Sequence, residues 1–151
     1  MSSETRISRR AISMKVKFTV PGAPKGKGRP RFTRNGRTYT PKDTVEYENK
    51  IALCYKQQVG DVFFKEHIPL DVRITAYFPI PKSTSKKQHQ AMIDHLIRPT
   101  VKPDSDNVVK CMDALNKIAF HDDSQIVDCQ VRKFYSDNPR VVVTIQEAIC
   151  I

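Results

Sequence analysis

Five aspartates, Asp104, Asp106, Asp113, Asp122 and Asp123, fall within one twenty-residue stretch whose apolar residues recur at helical spacing. That combination restricts the fold more than any other part of the chain. Val108, Met112, Leu115 and Ala119, with Val109 beside them, form a stripe for a core, while Asp106, Lys110, Asp113 and Lys117 fall on another side. Ser, Asp and Asn before an apolar run mark a helix start, so the pattern predicts an N-terminus near Ser105 or Asp106. Crowded carboxylates raise one another's proton affinity unless a cation neutralises them. Mg²⁺ suits such a cluster, because it takes hard oxygen ligands and fills its remaining positions with water and substrate phosphate. The competing reading is structural. Asp-x-Asp at a helix start serves as a cap, and Asp and Lys at i, i+4 form a solvated face.

Charge narrows the partner. Residues 1–40 hold eleven basic residues against one acid, Glu4, so the whole formal charge of +10 sits there and the other 111 residues are balanced. Cations beside a carboxylate cluster suit a polyanion. Cys54, Cys111, Cys129 and Cys150 form no Cys-x-x-Cys pair, which argues against zinc and fits unpaired thiols in a reducing cytosol. There is no secretory h-region and no apolar run long enough to span a bilayer, so a cytoplasmic protein without a membrane partner is expected, bacterial or in a phage-infected host.

Residues 1–13 read as a flexible leader and 14–151 as one domain. Lys15–Val20 alternates as a strand, and Pro21–Arg31 is a Gly- and Pro-rich basic loop whose glycines permit close approach to phosphates. It lacks the Gly-Lys-Ser/Thr of a nucleotide-binding loop. Asn35-Gly36 predicts a two-residue hairpin turn, a basic finger carrying Arg34 and Arg37, with Phe32 and Tyr39 anchored in the core rather than stacked on a base. Thr40-Pro41-Lys42-Asp43 opens a purely structural helix to Val59, capped by Thr40. Val45, Ile51, Ala52, Tyr55 and Val59 face the core, and Glu46 pairs with Lys50 outside. Leu70–Ile80 is a strand, Ser85–Leu96 a short helix behind a second basic patch, and Gln125–Tyr135 with Arg140–Glu147 a hairpin. His67, His89 and His95 read as surface residues, and His121 as exposed. The order implies an α+β domain, helices packed on a small mixed β-sheet.

Taken together, Lys102-Pro103-Asp104-Ser105-Asp106-Asn107, Lys110, Asp113-Ala114-Leu115-Asn116 and Asp122-Asp123-Ser124-Gln125 resemble the RusA family of Holliday junction resolvases, especially its phage and prophage branch. Pro24-Lys25-Gly26-Lys27-Gly28-Arg29-Pro30-Arg31-Phe32, Tyr39-Thr40-Pro41 and Tyr135-Ser136-Asp137 extend the resemblance over nearly everything after Met14. It implies a RusA-like homodimer, a Mg²⁺-dependent endonuclease that resolves four-way junctions in DNA recombination and repair, with no small-molecule cofactor. Matched residue by residue, Asp104, Asp106 and Asp123 bind the metal, Asp123 being a better match than Asp122, and Lys110 is essential to catalysis. Lys25, Lys27, Arg29, Arg31, Arg34, Arg37, Lys82, Lys86 and Lys87 are the expected DNA contacts. In two respects the chain departs from the pattern. Lys110-Cys111-Met112-Asp113 is one residue shorter than usual, which implies either a local helical adjustment or a rotation of about 100° beyond Lys110. Ser105 stands where an aliphatic residue is common. Two rival readings follow: a branched-DNA-binding protein of the same fold with weakened catalysis, and a Mg²⁺ enzyme acting on a small phosphorylated metabolite.

Overall fold

A computed structural model describes residues 14–28 and 31–149. The leader, Arg29 and Cys150 lie outside these. Strand β1 (Lys15–Pro21) buries Val16, Phe18 and Val20 and exposes the lysines between them, as period-two alternation requires. Two-residue strands β2 (Arg31–Phe32) and β3 (Thr38–Tyr39) form a separate hairpin. Helix α1 (Lys42–Gln58), β4 (Leu70–Pro79) and α2 (Lys86–Ile93) follow. The acidic stretch forms the short helix α3 (Ser105–Lys110) and two 3₁₀ turns, Cys111–Leu115 and Asp123–Gln125. Strands β5 (Ile126–Ser136) and β6 (Arg140–Glu147) complete a mixed sheet in the order β1-β6-β4-β5. The α+β expectation holds.

The expected β5–β6 hairpin does not form. β4 lies between them, antiparallel to β6 and parallel to β5. Alternation tells which residues face the core but not which strand is the neighbour. With β4 running Leu70, Val72, Ile74, Ala76 and Phe78 into the interior, it takes a central place with a partner on each side. The three residues after Ser136 need only step over the end of β4, where Pro79 faces Ser136 and Tyr77 faces Arg140, about two strand spacings apart. Parallel pairing in turn demands a long crossover from β4 to β5. That crossover is the acidic stretch, which is thereby held beside the sheet.

α1 packs on β1 and on the 3₁₀ turn at Cys111–Leu115. Its buried face is Thr44, Tyr47, Ile51, Cys54 and Tyr55, so Ile51 and Tyr55 face the core as expected, Ala52 and Val59 are half-buried, and only Val45 of the expected set is exposed. The Tyr55 ring meets Phe18 edge-on at 5.4 Å, and its hydroxyl donates to the Val62 carbonyl at 2.6 Å. Pro41, rather than Thr40, occupies the cap position, and no side chain caps the helix. Proline fixes the backbone angle that starts the helix, so no side-chain bond is needed there. Lys50 does not meet Glu46: it donates to the Pro21 carbonyl, and Glu46 pairs with Lys42 at 3.7 Å.

The finger also differs from expectation. Thr33 N–H donates to the Arg37 carbonyl at 2.8 Å and Gly36 N–H to the Thr33 carbonyl at 3.0 Å, so the loop has three residues, with Gly36 at φ +76°. Phe32 (76% exposed) and Tyr39 (48%) stand in solvent, because this two-stranded hairpin is not part of the main sheet and has no core to enter.

Candidate active site

The chain changes winding at the end of α3. From Cys111 the backbone is 3₁₀ for five residues. A 3₁₀ turn advances about 120° per residue against about 100° in an α-helix, so by Leu115 the gain is about 100°, the angle of one α-helical residue. Of the two arrangements expected for the short Lys110–Asp113 spacing, a local change of winding is the one present, with about 60° of that gain falling by Asp113. The apolar stripe survives it, with Val108, Cys111, Met112 and Leu115 all buried.

The polar side faces a cleft of about 590 Å³ lined by Lys27, Gly28, Asp104, Asp106, Asn107, Lys110, Asp113 and Asp123. Asp104 occupies the cap position of α3 yet makes no capping hydrogen bond, so its carboxylate is uncommitted. Asp106 and Lys110 pair at 3.5 Å on the exposed rim. Deeper in, Asp113 and Asp123 line the same wall, and the Lys27 ammonium sits 2.7 Å from Asp113 and 3.8 Å from Glu48. The hydrogen bond from Asp113, with burial and repulsion added, pushes Asp123 up to about 6. Partial burial opposes ionisation of Asp113, but the bonds from Asp123 and Lys27 prevail and hold it below the usual carboxylate range. Burial raises Glu48 despite Lys27, and the bond to Asp113 raises Lys27 despite its own burial.

Asp122 has a different role. Its carboxylate accepts from Ser124 N–H at 3.1 Å and its own N–H donates to Gln125 Oε1 at 3.0 Å, a reciprocal cap on the second 3₁₀ turn. Buried Gln125 donates to the Lys65 and Ile68 carbonyls, fixing this turn to the loop before β4. Asp123, one residue on, is left facing the cleft.

Sequence reasoning missed Glu48 and the pairing of Lys27 with Asp113. α1 was expected to be purely structural, yet it carries Glu48 into the cluster, and Lys27 faces carboxylates rather than standing free. The glycines beside Lys27 have a reason other than phosphate approach. A Cβ on Gly26 would lie 2.9 Å from Pro103 Cβ, and one on Gly28 2.7 Å from Thr44 Oγ1. The loop is pressed against α1 and the acidic stretch, with Lys27 N–H on the Asn107 carbonyl and Gly28 N–H on Thr44 Oγ1. Gly26→Ala is therefore expected to cost about 1–3 kcal/mol by overpacking, and a denaturant titration measures it. A variant as stable as the parent would show that this contact yields freely.

Beyond the cleft, sharing Lys27, Gly28, Asp104 and Asn107 with it, a groove of about 1220 Å³ takes in Lys25, Arg31, Lys102 and Lys133. Lys82, Lys86 and Lys87 are exposed just past the end of β4 and at the start of α2, and line neither cavity. Arg34 and Arg37 project from the finger. Cys54 and Cys111 are buried thiols and Cys129 is exposed. His89 meets Asp137 at 2.8 Å, and His121 is half-buried, with its ring nitrogens 3.1 and 3.2 Å from Lys117 Nζ.

Three carboxylates were expected to converge on one ion. Four line the cleft, but among the described residues no three His, Cys, Asp or Glu groups stand close enough to form a ready cage. Lys27 pairs with Asp113 of the inner pair instead. The donors are hard oxygens throughout, in an open cleft. This fits a cation that needs few protein ligands and completes its shell with water and phosphate.

An acidic cleft joined to a basic groove on an α+β domain suits a phosphate-bearing polyanion. Residues 21–146 match the family described as endodeoxyribonuclease RusA, and the chain belongs to that family. Over 138 residues it is 43% identical to the uncharacterized protein YqaN of Bacillus subtilis (strain 168), covering 87% of this chain and 96% of that relative. No helix among the described residues is long and apolar enough to cross a membrane.

Proposed function

We propose that this protein is a Mg²⁺-dependent endonuclease that resolves four-way DNA junctions by paired, symmetric phosphodiester hydrolysis, acting as a homodimer in recombination and repair. The observation that carries the reading is the uncommitted Asp104 carboxylate in one cleft with Asp106, Asp123 and Lys110, opening into the basic groove. Asp104, Asp106 and Asp123 would hold the ion, with Asp113 beside them. The ion supplies positive charge at the phosphoryl oxygen and acidifies the attacking water. Lys110, on the rim, is placed to offset charge developing on the phosphate or the leaving oxygen. Asp123 binds its proton more tightly than an ordinary carboxylate, up to about 6, and a bound cation would favour its ionised form. Lys25, Arg31 and Lys102 attract the backbone electrostatically, so affinity should fall steeply with salt and recognise branched shape rather than bases. A dimer's two-fold axis matches that of a junction cut symmetrically in two strands.

The test is cleavage of a synthetic four-way junction, and of a duplex of the same sequence, with and without Mg²⁺. Paired nicks in the junction alone, dependent on the metal, are expected. Lys110→Ala is expected to retain metal binding by calorimetry while losing turnover on the order of 10²-fold or more. Cutting at near the parental rate would remove Lys110 from the mechanism.

One observation favours a second reading, a junction-binding protein with weakened catalysis: the inner carboxylates are neutralised by Lys27 rather than gathered into a cage. Tight junction binding without cleavage in Mg²⁺ or Mn²⁺ would select it.

A further inference from the structure

The core lies under one face of the sheet. On the opposite face, where β4, β5 and β6 approach their common end, three arginines lie over two aromatic rings. Arg98 and Arg132 stack on Phe134, at 4.3 and 4.9 Å from its centroid, and Arg140 stacks on Tyr77 at 3.9 Å. The two rings are themselves stacked at 6.1 Å, and His95 closes on Phe134 at 4.3 Å.

None of these arginines forms an ion pair among the described residues. Of the acids on the same face and in the adjoining loop, Asp71 pairs with Arg73 at 3.4 Å and Asp137 with His89 at 2.8 Å, while Asp128 stands four residues from Arg132 along β5, toward the other end of the strand. Hydrogen bonding engages them only in part. Arg98 donates through Nε to the Lys133 carbonyl, Arg140 through Nη1 to the Asn138 carbonyl and Ser136 Oγ, and the Arg132 side chain has no hydrogen-bond partner among the described residues. Three positive charges are thus concentrated without neutralisation. Contact with a ring restricts each guanidinium, so less side-chain freedom is lost when an anion is met.

The patch is continuous with the groove. Neighbouring residues of a strand point to opposite faces, so Lys133 enters the groove while Arg132 and Phe134 lie on the reverse side. The chain from Arg98 to Lys102 passes this edge, tied by Arg98 to the Lys133 carbonyl and by Lys133 Nζ to the Val101 carbonyl at 2.7 Å. A polyanion leaving the groove around the β5 edge meets Arg98 and Arg132 next.

We propose that Arg98, Arg132 and Arg140 form a second nucleic-acid contact on the reverse face of the sheet, gripping the phosphates of a duplex arm that leaves the groove around β5. This rests on the junction reading above and adds where an arm runs beyond the cleft.

The test is the salt dependence of binding of a labelled four-way junction, without metal, to the full chain and to Arg98→Gln/Arg132→Gln. Two lost phosphate contacts reduce the slope of log affinity against log salt by about two, with affinity at least tenfold weaker at moderate salt. An unchanged slope and affinity overturns the proposal. So does a variant whose affinity is kept but whose oligomeric state changes on gel filtration, since the patch would then be a protein contact. The wild-type chain supplies an independent measurement. An arginine-specific dicarbonyl reagent should modify Arg98 and Arg132 in the free protein and spare them in the complex, read by peptide mass spectrometry. Equal modification with and without saturating junction also overturns the proposal, even if the variant fails to fold. Failure of wild-type cleavage, by contrast, bears on the proposed activity and not on this surface.

Discussion

Asp104→Asn is expected to abolish junction cleavage, by on the order of 10³-fold, while binding stays intact or tightens. The size follows from what the side chain does. It holds the cap position of α3 without making a cap bond, so its loss costs the helix nothing by that route. The amide keeps the volume but lacks the charge a divalent ion needs, and interactions stabilising charge in the transition state are worth about 10²–10³ each. Binding improves because one anion is removed from the path of a phosphate. Single-turnover cleavage and metal-free anisotropy on the same preparation read both effects. Cleavage within tenfold of the parent would take Asp104 out of the site.

The second large effect lies beneath the site. Phe120 is fully buried and ends the segment that delivers Asp123. Its carbonyl accepts from Lys117 N–H at 2.7 Å, and its backbone is bridged to Phe64. Phe120→Ala opens a cavity costing about 3–5 kcal/mol, roughly a 10²–10⁴-fold loss in the folding equilibrium. The turn carrying the reciprocal Asp122–Gln125 cap loses the packing under it. Activity should therefore fall further than the unfolded fraction explains at temperatures where the variant remains folded. A urea midpoint unchanged from the parent would contradict the packing described here.

Much of this architecture could be read from local signals. The alternation in Lys15–Val20, Leu70–Ile80 and Arg140–Glu147 located strands to within a residue or so, because one buried face imposes a period of two. Gly60 ends α1 near where it was expected, with φ +86°. The failures share one cause. Phe32 and Tyr39 looked like core residues because aromatic side chains usually find a core, but the hairpin that carries them has no third strand. Val45 was assigned to the wrong side of α1 because periodicity gives a stripe without saying where the neighbouring elements approach. Gly26 and Gly28 were read only as permitting close approach to phosphates, since sequence does not show that Pro103 and Thr44 lie within contact distance.

Sequence alone determined the chemistry on offer: carboxylates at the start of one helix, an aspartate pair some twenty residues on, a basic Gly-rich loop, and membership of a nuclease family. Each is a property of residues near one another along the chain. Only the tertiary structure decided which charges meet. Lys27 reaches Asp113 across 86 residues, Glu48 arrives from a helix with no chemical signature, and Arg98, Arg132 and Arg140 collect at one end of the sheet from three separate segments. The physical reason is the insertion of β6 between β1 and β4. It leaves β5 to pair in parallel at the edge, and the long crossover that this requires carries the acidic stretch to the basic loop.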